Sequence, residues 1–265
     1  NHLIKTDENG IEEWNKTLED VEDARINQNH NGTFLFTRYS GSTSTLFLLL
    51  MDSAGEEIWN NTISCSCRLG SVKETSNGSY IVVGTEHPGF SNRDLFLLKA
   101  DSSGNEEWRR TINVSYNEYG AENGNDIIET ENGDFIAIGS AQLGQWPNSG
   151  PQKIWAVKTN SSGEILWKKG FLKSHTRSYG HSIGQTSFDQ YTIVGQSQYE
   201  ENSDWDYCLV VIDEDGVEQW NSTYGNTYNN YAYDFHQNID GTYIISGSTT
   251  TENMAADALL MKVPS

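Results

Sequence analysis

The sequence predicts an all-β fold, a five-bladed β-propeller of four-stranded antiparallel blades, on three observations. First, an acidic turn, a glycine and a tryptophan recur five times, as DENGIEEW (Asp7 to Trp14), DSAGEEIW (Asp52 to Trp59), DSSGNEEW (Asp101 to Trp108), NSSGEILW (Asn160 to Trp167) and DEDGVEQW (Asp213 to Trp220). The tryptophans Trp14, Trp59, Trp108, Trp167 and Trp220 stand 45, 49, 59 and 53 residues apart, a spacing that marks a repeat architecture. Second, two strand signatures recur in fixed order between them. Third, no long helical periodicity competes.

Each element has its own justification. An Asn-Gly or Asp-Gly turn opens the second strand of most units, in NGTFLF from Asn31, NGSYIVVG from Asn77, NGDFIAIG from Asn132 and DGTYIISG from Asp240, with FDQYTIVG from Phe188 as the variant. Such turns supply the positive φ of a tight hairpin, and β-branched and aromatic residues then suit a strand. The third strands, TLFLLLMD, DLFLLKAD, KIWAVKTN, DYCLVVID and DALLMKV, are short continuous apolar runs, as expected of strands covered on both faces. In the acidic turn the Asp or Asn caps its own backbone, and Gly10, Gly55, Gly104, Gly163 and Gly216 take the strained position. The indole then wedges between neighbouring blades. Four strands per unit and five units describe one propeller domain over 1–265, with repeats near 15–59, 60–108, 109–167, 168–220 and 221–265, the last completed by 1–14.

The D-x-x-G-x-x-x-W pattern resembles the tryptophan-docking repeat of quinoprotein-like propellers. With its T-x-NG-x-Y-I-V-x-G and D-x-x-L-x-K-x-D-x-x-G parts, the unit also resembles repeats of secreted or surface propeller proteins of archaea and bacteria. The resemblance spans essentially the whole chain and implies architecture rather than chemistry. It departs from the pattern at Arg38, where other second strands end in glycine (Gly84, Gly139, Gly195, Gly247), and at Phe188-Asp189-Gln190, so blades one and four are expected to be irregular.

The last unit lacks a fourth strand, and residues 11–18, IEEWNKTL, have its character. Ring closure by the N-terminal strand is the simplest arrangement, since it seals an open edge. Residues 2–10 then duplicate the end of a third strand, with Lys5 aligned to Lys99, Lys158 and Lys262, so the alternative is docking of this hairpin on a neighbouring copy. The start at Asn1, without initiator Met or signal peptide, suggests a processed protein or an excised piece.

Composition narrows the function. Thirty-seven acidic against 17 basic residues give a net charge of -20, which disfavours nucleic acid and anionic lipid. The longest apolar run, LFLLLM at 46–51, is strand-sized, so no membrane insertion is expected. Cys65 and Cys67 would share one side of a strand, where a bridge between them is unfavourable, so free or intermolecular thiols are expected, with Cys208 a buried filler. Seven sequons, at Asn15, Asn31, Asn60, Asn77, Asn113, Asn160 and Asn221, fit an extracellular or cell-surface address.

Signals for chemistry are sparse. The six histidines have no metal-binding spacing, and no G-x-S-x-G, P-loop or HExxH is present. The acidic loop Glu122 to Asp126 offers oxygen ligands of the kind calcium takes but lacks the EF-hand pattern, so a solvated loop is expected and no cofactor is assigned. Aligned first strands place Gln28, Glu74, Glu129, Gln185 and Gln237 at one level. They form a candidate polar ring in the central channel or, the preferred reading, they satisfy strand ends between blades. Quinone-dependent oxidation, which the tryptophan repeat implies, needs convergent acids and an arginine around calcium and cofactor, and no such cluster stands out. Trp146, Trp205 and the run Asn226 to Tyr233 put amphipathic aromatics in variable loops or at strand starts, suited to a protein or sugar surface.

The expectation is therefore a non-catalytic extracellular structural or interaction module, a homo-oligomer or polymer assembling through its terminal strands, or a partner of another surface protein or glycan. A carbohydrate-binding or carbohydrate-active propeller is the alternative, and a quinone-dependent oxidoreductase the third.

Overall fold

The computed structural model describes residues 2–17, 23–86, 93–113, 122–142, 151–187, 189–200, 204–250 and 255–264. They form 21 strands and, among the described residues, no helix. A hairpin of β1 (His2–Thr6) and β2 (Glu12–Thr17) comes first, then blade one of β3 (Asp23–Gln28), β4 (Phe34–Ser40), β5 (Thr45–Met51) and β6 (Glu57–Ser64). Blade two is β7 (Cys67–Glu74), β8 (Tyr80–Glu86), β9 (Asp94–Ala100) and β10 (Glu106–Ile112). Blade three is β11 (Glu122–Glu129), β12 (Phe135–Gln142), β13 (Gln152–Thr159) and β14 (Ile165–Gly170). Blade four is β15 (Arg177–Ser187), β16 (Gln190–Gln198), β17 (Asp206–Asp213) and β18 (Glu218–Tyr224), and blade five has β19 (Asn230–Gln237), β20 (Tyr243–Thr250) and β21 (Ala256–Val263). Each sheet is an antiparallel meander in chain order.

The continuous apolar runs are explained by burial on both faces. In β8, Tyr80 and Val82 join a core with Leu35, Leu46 and Leu48 of blade one, while Ile81 and Val83 join another with Phe135, Ala137 and Val157 of blade three. Alternation with a period of two therefore feeds two cores from one strand. Two further cores join blades three and four, and blades four and five.

The repeated tryptophan forms the joints. Trp14 packs 3.0 Å from where a side chain on Gly55 would start, Trp59 2.5 Å from that of Gly104, Trp108 2.9 Å from that of Gly163, and Trp167 2.9 Å from that of Gly216. Each of these glycines has φ between 70° and 80°. The glycine thus serves the turn and also leaves room for the indole of the preceding repeat. Trp14, Trp108 and Trp167 add a hydrogen bond from Nε1 to the turn carbonyl of Ser53, Ser161 and Glu214 respectively. The turn is held by its own acid, as Asp52 Oδ1 accepts from the N–H groups of Ala54 and Glu56.

Ring closure by the N-terminal strand is not the arrangement found. The hairpin reproduces third and fourth strands, with Lys5 opposite Trp14 as Lys99 is opposite Trp108, so β1 fills on β2 the place that β21 would take. Trp14 docks the hairpin on blade one, and among the described residues β21 carries no fourth strand. Gly10 has no indole against it, so four joints are formed rather than five.

The cysteine expectation is corrected as well. Cys65 and Cys67 are disulfide-bonded, with Cα atoms 5.5 Å apart, and both are buried between blades one and two. Strand geometry does not govern them, because Cys65 lies in the link between β6 and β7. Cys208 is free and buried, as expected.

Candidate functional site

First strands carry a feature that the repeat pattern hides. In blades two to five the first strand is bulged against the second, with register jumps from Leu69 to Ser71, Gly124 to Asp126, Gly180 to Ser182 and Ala232 to Asp234. The extra residues are Gly70, Asn125, His181 and Tyr233, one per blade. A bulge re-aims its side chain out of the ladder. Opposite each bulge stands a glycine within the second strand, Gly84, Gly139, Gly195 or Gly247, and the strand runs on two or three residues beyond it. A Cβ there would run into the carbonyl oxygen of Arg68, Asn123, Tyr179 or Tyr231. Blade one has Arg38 at this position, stacked 3.8 Å over Phe47, and its first pair of strands is unbulged. The irregularity expected of blade one is thus the absence of a bulge, while blade four has a second register shift, with Asp189 at φ 60° in its turn.

All four bulge residues line one cavity of about 530 Å³, to which first strands of all five blades contribute. Its wall includes Arg25, Arg68 and Arg93, the amides of Asn123 and Asn125, and the rings of Tyr179, His181 and Tyr233. The bulges are tied to one another across blades. Arg25 donates from Nε to Gly70 O (2.6 Å) and from Nη2 to Leu69 O (3.0 Å), and Asn125 Nδ2 donates to Gly180 O (2.6 Å).

One residue beyond the bulges runs a second polar set. Asp126, buried, accepts from the Ile183 N–H at 3.1 Å and has Lys73 Nζ 3.7 Å away. Ser182 Oγ donates to Asp234 Oδ1 at 2.8 Å and lies 3.4 Å from Asp126 Oδ2, so one hydroxyl stands between two carboxylates. His181 Nε2 is 3.2 Å from the Gln196 amide oxygen, and its ring meets Tyr233 edge-on at 6.2 Å. Burial pushes the His181 imidazole below the usual histidine range, which favours the neutral ring. Burial also raises the Tyr179 phenol, whose ring lies 5.3 Å from Trp205.

The sequence-predicted residues fall elsewhere. Glu74 accepts from the His30 N–H at 2.8 Å, Glu129 from the Ser76 N–H at 2.6 Å, and Gln185 Nε2 donates to Glu131 at 3.4 Å. These three grip the hairpin turn of the preceding blade. Gln237 donates within its own turn, to Gly241 O, and Gln28 is exposed. Glu122 to Asp126, read as an acidic loop, is instead the start of β11 and its bulge, with Glu122 fully buried. Among the described residues no group of three or more His, Cys, Asp or Glu is arranged to hold a metal ion. Six sequon asparagines are exposed, and Asn160 is half-buried with its Nδ2 donating to Glu164. Trp146 and His87 lie outside the described residues. Sequence reasoning missed His181, Asn125 and Tyr233 as a set; the signal available was the glycine at 84, 139, 195 and 247.

No family model matches the chain, and no curated protein matches it either. Solved structures do. A protein of unknown function from Bacteroides caccae is similar at TM-score 0.58 and 11% identity, covering 97% of this chain and 83% of its own. The apocarotenoid oxygenase of Synechocystis is similar at TM-score 0.55 and 11% identity over 91% of this chain, which spans 58% of the oxygenase's length. The α-L-arabinofuranosidase of Fusarium graminearum is similar at TM-score 0.54 and 14% identity, over 93% of this chain and 81% of its own. At such identities the likeness is one of fold. It nonetheless corrects the expectation of a non-catalytic structural module assembling through its terminal strands. The similar folds include enzymes, one of them an arabinofuranosidase, and the carbohydrate alternative fits them better.

Proposed function

We propose that this chain is a carbohydrate-binding or carbohydrate-active propeller whose site is the bulge-lined cavity. The observation that carries the reading is the convergence of Asn125, His181 and Tyr233, each expelled from its ladder by a bulge, on one cavity. Aromatic rings beside amide and hydroxyl groups suit a sugar, whose faces are apolar and whose rim is hydroxylated. The arabinofuranosidase likeness supports the same reading by fold analogy alone.

In the catalytic form of the proposal, the carboxylates available for general acid and base work are Asp126 and Asp234, which stand one residue beyond the bulges at Asn125 and Tyr233 and not in the cavity lining itself. One is buried and one exposed, with Ser182 between them. An extracellular setting belongs to the proposal, supported by the exposed sequons and by the Cys65–Cys67 bridge, since disulfides persist in oxidising compartments.

A glycan array tests binding, and the appearance of new sugar ends on incubation with the bound glycan tests cleavage. Binding with cleavage lost in Asp126→Asn and Asp234→Asn supports an enzyme, and binding without cleavage supports a lectin-like role. An array on which nothing binds would sink both.

A further inference from the structure

The groups that line the cavity favour one chemistry over another. Among the described residues no carboxylate lines it, whereas hydrolysis of a glycosidic bond ordinarily takes a pair of carboxyl groups flanking that bond. Asp126 and Asp234, behind the lining, are already engaged. Asp126 accepts from the Ile183 N–H and faces Lys73, and Asp234 Oδ1 accepts from Ser182 and from the Phe235 N–H at 2.9 Å.

The lining offers cations, an imidazole and phenols instead. Arg25 is committed to the carbonyls of Gly70 and Leu69. Arg68 and Arg93 are exposed, and among the described residues neither guanidinium makes a hydrogen bond or an ion pair. An amide oxygen only accepts, so the contact with Gln196 puts the His181 ring proton on Nε2 and leaves the lone pair on Nδ1. That Nδ1 has no partner among the described residues, and burial, which holds the ring neutral, keeps its lone pair available at pH 7. Tyr233 stands edge-on to the imidazole, with its phenol oxygen 3.0 Å from Ser248 Oγ. The Ser248 hydroxyl can donate to that oxygen while the phenol gives up its own proton.

A free base, an acid and unpaired guanidinium groups are what removal of a proton from the carbon beside a carboxylate requires. We infer that the cavity cleaves a uronate-containing polysaccharide by elimination, with Arg68 and Arg93 on the sugar carboxylate, His181 as base and Tyr233 as acid. This rests on the carbohydrate-active reading of the same cavity and takes its chemistry from the lining rather than from Asp126 and Asp234.

The step balances without a co-reactant. The two guanidinium groups hold the carboxylate while negative charge builds on it, the fork of donors suiting its planar geometry. His181 Nδ1 takes the hydrogen from C5, the C5–H electron pair becomes the second bond between C4 and C5, and the C4–O bond breaks. The departing oxygen takes the Tyr233 proton and becomes the free anomeric hydroxyl of the leaving sugar. His181 then releases its proton and Tyr233 regains one through solvent.

The test is incubation of the intact chain with polygalacturonate, alginate, hyaluronan and neutral dextran, following ultraviolet absorbance of the conjugated double bond and new reducing ends together. One uronate polymer should yield both in equal number, and dextran neither. His181→Gln and Tyr233→Phe should each lower kcat about 100-fold or more while affinity for the polymer stays within about threefold, and the Arg68→Gln/Arg93→Gln variant should lower kcat/KM about 10-fold or more, with melting curves checking the fold. New ends without absorbance on any of these polymers or on the best array glycan would mean hydrolysis and overturn the inference, leaving the carbohydrate reading in place. Binding without cleavage, or an unchanged rate in His181→Gln, overturns it in the same way. If no polymer is cut and no array glycan binds, both fall.

Discussion

Blades one and three have the same strand order, the same turns and the same tryptophan joint, yet one difference in their second strands decides what each offers to a ligand. Blade three has Gly139 within that strand, and β11 bulges opposite it, which leaves Asn125 out of the ladder. Blade one has Arg38 there, pairs Ala24 with it in register, and instead reaches across to blade two with Arg25. The comparison teaches that the repeat separates two tasks. The glycine of the acidic turn serves packing between blades, and the glycine of the second strand permits a bulge that builds the site.

The most severe break of this comparison is Gly139→Val. Its Cβ collides with the Asn123 carbonyl, so the bulge must be lost or displaced, at a cost of about 4 kcal/mol, or roughly 10 °C of Tm. The matched change Arg38→Val in unbulged blade one should cost under about 1.5 kcal/mol by the same melt. Next in size, Trp108→Ala removes a joint that has both glycine and hydrogen bond, at about 3 kcal/mol, whereas Trp220→Ala, with no glycine turn docked on it, should cost about half as much by chemical denaturation. Arg25→Ala deletes the bridge to the Gly70 and Leu69 carbonyls and is expected to cost about 1–2 kcal/mol. Arg25→Lys should recover little of this, because an ammonium lacks the fork.

The smallest effect is one of pH. His181 has its folded pKa lowered by burial, so above the ordinary histidine value of about 6.5 both states are neutral and its contribution is complete. As pH falls below that value the unfolded chain takes up a proton that the folded chain resists, and stability declines. Melting curves between pH 7.5 and 5.5 should therefore fall more steeply for the parent than for His181→Gln. Equal slopes would show that His181 is not held neutral.

Much of this fold is legible in the sequence because its signals are local. The acidic turn, its glycine and its tryptophan lie within eight residues, and Asn-Gly before an apolar run fixes a hairpin without reference to anything distant. The site is less legible because its members are distant in sequence. Asn125, His181 and Tyr233 stand 56 and 52 residues apart, and nothing in the neighbourhood of His181 distinguishes it from a surface histidine. The glycines at 84, 139, 195 and 247 are visible, but their meaning depends on the carbonyl opposite, which only the pairing of strands reveals. The same holds for the N-terminal hairpin. Its sequence allows it to complete blade five, but pairing with its own β1 satisfies β2 locally and Trp14 then finds Gly55.

The central claim, that bulges aim side chains into a sugar site, is tested most directly by calorimetric titration of the best array glycan into the parent chain and into Asn125→Ala/Tyr233→Ala. Neither side chain belongs to a core, but Asn125 gives up its bond to the Gly180 carbonyl and Tyr233 its contact with Ser248, so the variant should melt within about 6 °C of the parent while its affinity falls about 10-fold or more. An affinity within about twofold of the parent, with the fold intact, would contradict the account and place the ligand elsewhere on the molecule.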